Sequence, residues 1–463
     1  MKLENRWKNL EENAPHDLVD ALKRAKALYD GEKIIRWIAG LYDHERGGFY
    51  YSNSARDNEP YRPDIESTNF ALVLLFGRGA LSNRNEDLSI DMQRAIVDFA
   101  RNMQSDRDGY FYHSQWPCSK ELLNVDRYGR DLATAETLIS SFWLDLDGSG
   151  TKKQMRPKYC IPGSSVKCDR HFGTDERCSF SDDVVASEKE NEPPRKVRPD
   201  YSSPEAFHSW LVDYNKTVKE NSGQAHNIAE LRLEIIKHGY MDIVLNHLDL
   251  MLEETYNEQI AAGEKPTGVW QKKADYRAVW GLFKYLCLYN LPNHGRKIDI
   301  KYVPYMVDTC IEVLKTRPDG SVYHMNDIMN QWTAISRIIA NVRKYYGEEY
   351  IPEIYDRVRK SGAQIVENTI LKIKPFLLPD GSFSYNPDGT SLKIIYGVPI
   401  SLGETEGDLN AVILATNAYS AMFSTMGYDT VQIFTPEDGE LFVKLISERK
   451  PVIKKKQQEA QNV

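Results

Sequence analysis

Two sets of residues in this chain have the types and spacing for bond-breaking chemistry. The first is His226-Asn227, Tyr276-Arg277 and Arg130. A histidine can take a proton near neutral pH. An amide or guanidinium can neutralise a carboxylate, and a tyrosine can protonate a leaving oxygen. Those are the three roles that β-elimination beside a uronate carboxylate requires. His226 would be the base, Asn227, Arg130 or Arg277 the neutralising group, and Tyr276 or Tyr51 the acid. The second set is acidic. Glu404, Glu406 and Asp408 fall within five residues, beside two glycines, which is more acid than one helix cap needs. Facing Asp64 or Asp131, they could supply the two carboxylates of an inverting glycosidase, held about 6.5–9.5 Å apart with one pKa raised.

These side chains also have plainer roles. Asp64, Asp131, Asp275 and Asn330 stand where a helix wants an N-cap, and Glu404, Glu406 and Asp408 suit the positive end of a helix dipole. Arg130 beside Asp131, and Arg277 two residues after Asp275, read equally as salt bridges on a solvated rim.

What must position them is a repeated element. Arg46-Gly47-Gly48-Phe49-Tyr50-Tyr51 leads through Asp64 and Glu66 into Phe70–Phe76, a run too apolar to have a solvent face. Asp108-Gly109-Tyr110-Phe111-Tyr112 leads to Arg130-Asp131, Gly268-Val269-Trp270 to Asp275-Tyr276-Arg277, and Asp319-Gly320-Ser321-Val322-Tyr323 to Asn330-Gln331. Asp380-Gly381-Ser382-Phe383 leads to Glu404–Asp408, and a weaker copy around Gly223 leads to His226-Asn227. Six glycine-centred turns, each opening an apolar helix at intervals of roughly 50–60 residues, describe a helical array.

The pattern resembles the (α/α)6 toroids: terpenoid cyclases, protein prenyltransferase β subunits, and many polysaccharide lyases and glycoside hydrolases. The resemblance covers about residues 15–425 and carries architecture rather than chemistry. It implies an all-α fold of six helical pairs in one domain over 1–445. In such a ring the inner helices start on one face. That mouth would gather the two sets above with Glu66, Gln331 and the aromatics Tyr51, Tyr112, Trp116, Tyr323 and Tyr385. Three features lie outside the repeat. Residues 145–205 read as a long inserted loop or lid. Thr430–Phe434 and Leu441–Leu445 read as a small β hairpin, and 446–463 as a flexible tail.

Composition narrows the function classes. A net charge of −8 argues against a nucleic-acid partner. No apolar run approaches a membrane span, and the charged first ten residues lack a signal-peptide core, so a cytoplasmic protein is expected. Cys160, Cys168, His171 and Cys178 invite a zinc reading, but their spacing fits none of the usual ligand pairs, so no metal or cofactor is expected. Asp145-Leu-Asp147 only partly matches a cyclase-type acidic motif. The expectation is an enzyme cleaving glycosidic bonds of uronate-bearing oligo- or polysaccharides by β-elimination. An inverting hydrolase, a terpenoid or prenyl enzyme, and a non-catalytic carbohydrate-binding ring are the alternatives.

Overall fold

The structure is a computed structural model. It describes residues 3–106, 109–113, 125–145, 148–159, 199–216, 226–316, 324–390, 399–449 and 454, with the backbone alone at 3–4, 125–130 and 226–227. The cysteine-histidine group from Cys160 to Cys178, together with Trp116 and Tyr323, lies outside the described residues.

Those residues are predominantly helical. The only strand pair among them is a two-residue antiparallel match of Trp143–Leu144 with Lys153–Gln154. The chain forms two compact units. The first holds Met1–Tyr29, Pro199–Leu377 and Leu414–Ile433, and the second Asp30–Arg198, Leu378–Ile413 and Phe434–Val463. Among the described residues, no helix is long and apolar enough to cross a membrane.

The repeat has a physical basis, clearest in the second unit. After the Gly31–Gly40 helix the chain turns back on itself: Gly47 N–H donates to the Asp43 carbonyl, Asp43 N–H to Gly48, and Tyr50 N–H to Leu41. The same three bonds recur after the Ile90–Asn102 helix, from Gly109 to Ser105, Ser105 to Tyr110, and Tyr112 to Met103. The step from Gly47 to Gly109 is 62 residues (109 − 47). Bridges Tyr42–Phe49 and Gln104–Phe111 lie at matching places. Gly47 and Gly109 have φ of +81° and +76°, and Gly268 and Gly381 of the other copies have +69° and +84°. Glycine is the residue that adopts this left-handed backbone without strain. At Gly47 a Cβ would also stand 2.2 Å from the Ala95 carbonyl oxygen, so the turn packs against the next helix through the missing side chain.

The turns around Gly223 and Gly320 lie outside the described residues; the helices that follow the repeats are largely buried where they are described. The Ile65–Gly77 helix shows no exposed residue before Gly77. In the first unit, the Tyr276–Tyr289 helix is covered from Ala278 onward, and the Met325–Tyr345 helix as far as Ile339. These two pack along each other, and the Val303–Lys315 helix packs on the second of them. Trp270 and Trp332 are fully buried in this unit. Their indole N–H groups donate to the Leu248 carbonyl at 2.8 Å and the Thr369 hydroxyl at 3.0 Å. That pairing is what lets so large a polar-tipped side chain stay inside.

The hairpin expected near the C-terminus is a helix, Pro436–Glu448. Thr435 and Asp438 form a reciprocal capping box, and Pro436 takes the first helical position, where its missing N–H costs nothing. Of the two apolar runs, Leu441–Leu445 lies within this helix, and Thr430–Phe434 is the non-helical segment that leads into its cap, with Phe434 N–H donating to the Arg78 carbonyl. The helix packs on the Gly31–Gly40 helix and fully buries Phe442.

Candidate active site

The second unit assembles a cluster of acids from three parts of the chain. The strand-like segment after Gly48 is stitched to the start of the Ile65–Gly77 helix. Phe49 N–H donates to the Thr68 hydroxyl at 2.9 Å, and the Ser67 hydroxyl donates to the Phe49 carbonyl at 2.6 Å. Asp64 caps that helix, accepting Glu66 N–H at 2.7 Å. Tyr51 reaches over the cap: its hydroxyl donates to Glu66 Oε2 at 2.6 Å and lies 3.5 Å from Asp64 Oδ1. All three side chains are buried.

The second part arrives beside them. Leu409 N–H donates to the Tyr51 carbonyl at 2.9 Å, and Ser52 pairs with Asp408 as an antiparallel bridge. Asp408 caps the helix beginning at Leu409, accepting Ala411 N–H at 2.8 Å and the Thr390 hydroxyl at 2.7 Å. Two residues back, Glu406 accepts the Ser54 N–H at 2.9 Å and the Ser54 hydroxyl. Ser54 is fixed in turn by Leu402 N–H, which donates to its hydroxyl at 2.9 Å. Gly407 is squeezed between the two acids, where a Cβ would lie 2.2 Å from Ser382 Oγ.

Exposure grades along this segment. Glu404 is exposed, Glu406 half-buried and Asp408 fully buried. Burial raises the pKa of both inner acids. Asp408 is pushed up to about 6, chiefly by burial and further by the Glu406 charge, against the pull of its hydrogen bonds. Glu406 is raised for the same first reason, against its bonds from Ser54 and Ser52 and with the Glu404 charge adding to it. Among the described residues, the chief influences on the two acids are burial, hydrogen bonds and neighbouring acids. A half-buried carboxyl that keeps its proton to higher pH than usual, at the inner end of an exposed acidic rim, is equipped to deliver that proton.

The first unit brings together a different group. Asp275 caps the Tyr276–Tyr289 helix, accepting the N–H groups of Arg277 and Ala278, both at 3.0 Å. Tyr276 is 41% exposed, and its hydroxyl accepts from Arg277 Nε at 3.2 Å. Two expected helix starts are displaced. The Val125–Ser140 helix begins before Arg130-Asp131, which lie in its second turn, with Asp131 buried. The Met325–Tyr345 helix begins before Asn330-Gln331, so His324 and Asp327, not Asn330, form the cap, and both Asn330 and Gln331 are buried. His226 and Asn227 do begin a short helix, His226–Glu230. Tyr112 is half-buried beyond its turn, and Tyr385 buried in the second unit.

Ser52, Ser54 and Thr390, which hold the inner acids, carried no signal in the sequence, because a hydroxyl's role depends on a partner that only the fold brings alongside, 352 residues away for Ser54 and 18 for Thr390. No group of His, Cys, Asp and Glu among the described residues could hold a metal ion. A cleft of about 550 Å³ in the first unit is lined by charges that largely satisfy one another, with Asp308 bound by Lys265 at 3.1 Å and Arg357 at 2.9 Å. Comparisons with protein-family models, with curated proteins and with solved structures each found no match.

Proposed function

We propose that this chain is a carbohydrate-active enzyme that hydrolyses glycosidic bonds of uronate-bearing oligosaccharides, on an (α/α)6 toroid scaffold. The observation that carries the reading is Glu406: half-buried, bound by Ser54, with its pKa raised by burial, next to Asp408 at about 6 and behind an exposed Glu404. Glu406 acts as general acid. Its proton passes to the glycosidic oxygen as the bond from that oxygen to the anomeric carbon breaks. A water molecule adds to that carbon, and Glu404 takes the proton the water releases. Ser54 is a positioning residue that fixes the Glu406 carboxyl, while Asp408, itself raised in part by the Glu406 charge, anchors the segment as the cap of the next helix. The scaffold is supported by the recurring left-handed glycine turn and by the buried helices that follow it. The hydrolytic reading moves ahead of β-elimination because raised carboxyls are the perturbed groups gathered here.

The test follows reducing ends and the ultraviolet absorbance of an unsaturated uronate together, over a panel of uronate-bearing oligosaccharides. Reducing ends should rise without absorbance, and activity should fall as pH rises through the raised pKa of Glu406. Glu406→Gln should lose about 10²–10⁴-fold in rate, the usual worth of a general acid. Absorbance rising with reducing ends would return the elimination mechanism, and full activity in a folded Glu406→Gln protein would remove Glu406 from the chemistry.

A further inference from the structure

The first two turns of the Met325–Tyr345 helix carry Asn326, Asp327, Asn330 and Gln331. Positions three and four apart on a helix share a face, so Asp327 lies beside Asn330 and Gln331, and Asn326 beside Asn330. Helical side chains lean toward the N-terminus, which aims the two later amides back at the first turn. Asn330 is 2% exposed and Gln331 4%. Yet three buried atoms here, Asn330 Nδ2, Gln331 Oε1 and Asn326 Oδ1, have no hydrogen-bond partner. Folded proteins satisfy nearly all such atoms, and three within six residues at the same helix end indicate an occupant.

Opposite them stands Arg277, at the start of the neighbouring Tyr276–Tyr289 helix, close enough that its charge and that of Asp327 act on each other. Its Nε is engaged by Tyr276, and the exposed guanidinium leaves its terminal nitrogens to solvent. The site therefore offers donors from Arg277 and Asn330 and acceptors from Gln331, Asn326 and Asp327. A phosphate would meet three repelling acceptors, and a hydrocarbon would leave every group unsatisfied. A hydroxy acid suits both halves: its carboxylate meets the donors, and its hydroxyls donate to the acceptors.

We propose that this helix end is a binding site for a carboxylate-bearing polyol of the uronic-acid type, separate from the acid cluster of the second unit. The site stands without the hydrolytic reading, because it needs no bond to be cleaved.

The test titrates glucuronic acid, which has no glycosidic bond to cleave, by calorimetry into the full chain, with glucose as the neutral probe. Glucuronic acid should bind saturably and glucose at least roughly tenfold more weakly, the loss expected for one charge-assisted contact. Arg277→Ala, a surface change that leaves the fold intact, should weaken glucuronic acid by the same factor and leave glucose unchanged. Asn330→Leu should weaken both without lowering the unfolding temperature of the ligand-free protein, since the amide it removes has no partner to lose. Absence of saturable binding, or parent-like affinity in both variants, would overturn the site. Saturable binding of glucuronic acid by a protein that releases no reducing ends from uronate-bearing oligosaccharides would sink the hydrolytic reading alone.

Discussion

Replacing Asp408 by Asn should make the protein less sensitive to rising pH, by an amount the structure sets. The Asp408 carboxyl is fully buried, and its pKa is about 6 against an ordinary 3.8. The folded chain therefore holds this proton more tightly than the unfolded chain does. The stability that this contributes is complete below pH 3.8 and is lost as pH rises through 6. The gap of 2.2 units (6 − 3.8) corresponds to about 3 kcal/mol, at about 1.36 kcal/mol per unit. Asparagine keeps the cap, because its carbonyl oxygen can accept from Ala411 N–H, and its amide can donate to the Thr390 hydroxyl oxygen. It removes the charge. The assay is urea unfolding of both proteins at about pH 4 and about pH 8, where the charge on Asp408 differs fully. With a slope of about 2–3 kcal/mol per molar, the midpoint difference between the proteins should change by about 1 M between the two pH values, in favour of Asp408→Asn at the higher. With two compact units, only the transition that contains Asp408 should respond. A Glu406→Gln background should retain most of the effect, because burial is the largest cause of the shift and the Glu406 charge a lesser one. A midpoint difference that stays the same at both pH values would show that Asp408 is solvated and ordinary, and the acid cluster would lose its physical basis.

The glycine turn and the C-terminal segment give two more tests. Gly47→Ala puts a Cβ into a left-handed residue and 2.2 Å from the Ala95 carbonyl oxygen, whereas Gly148→Ala meets nothing within 4 Å at φ +69°. The first should cost roughly 2–5 kcal/mol and the second about 1, and equal losses in thermal unfolding would mean that close packing is not why the turn needs glycine. Lys454 donates its ammonium to the carbonyls of Ala55 and Asn58, both at 3.1 Å, and of Tyr61, and lies 4.3 Å from the centre of the Tyr50 ring. Lys454→Ala should cost about 1–3 kcal/mol and speed proteolysis within residues 52–61, the segment that carries Ser52 and Ser54. Unchanged digestion there would mean that the lysine does not hold the segment.

The helical layout was legible because two strong signals coincide at the repeats of Gly47, Gly109, Gly268 and Gly381. A glycine that must turn left and an apolar run with no polar face are properties of a few adjacent residues, so the sequence carries them in full. Helix starts were less secure. At Asp64 and Asp275 the cap lies just ahead of the apolar run, and sequence and structure agree. Before Asn330 the helix opens a turn and a half earlier, because His324 and Asp327 form a capping box. An acid at a box's third position looks the same in sequence as an acid in a loop. The C-terminal helix was misread for a related reason. Apolar runs on either side of Glu437-Asp438-Gly439 imitate a hairpin until the Thr435–Asp438 box is recognised as the start of a helix.

The site was legible as a set of residue types but not as a set of roles. Glu404, Glu406 and Asp408 differ in sequence by almost nothing, yet the chain grades them from solvent to full burial within five residues. Ser54, from a distant part of the sequence, and Thr390, 18 residues before Asp408, hold the two inner acids, and Gly407 lets the segment lie flush against Ser382. The different burial of the three acids is what separates them chemically. An acid paired with lysine or arginine would hold its charge and act only as an anchor. An unpaired, half-covered acid keeps its proton and can give it away. By that criterion Glu406 is the member of the triplet suited to the proposed chemistry, Asp408 is too enclosed to touch a substrate, and Glu404 faces solvent. The same criterion ranks Asp64 and Glu66, buried under Tyr51, as supports of the site rather than its reactive groups.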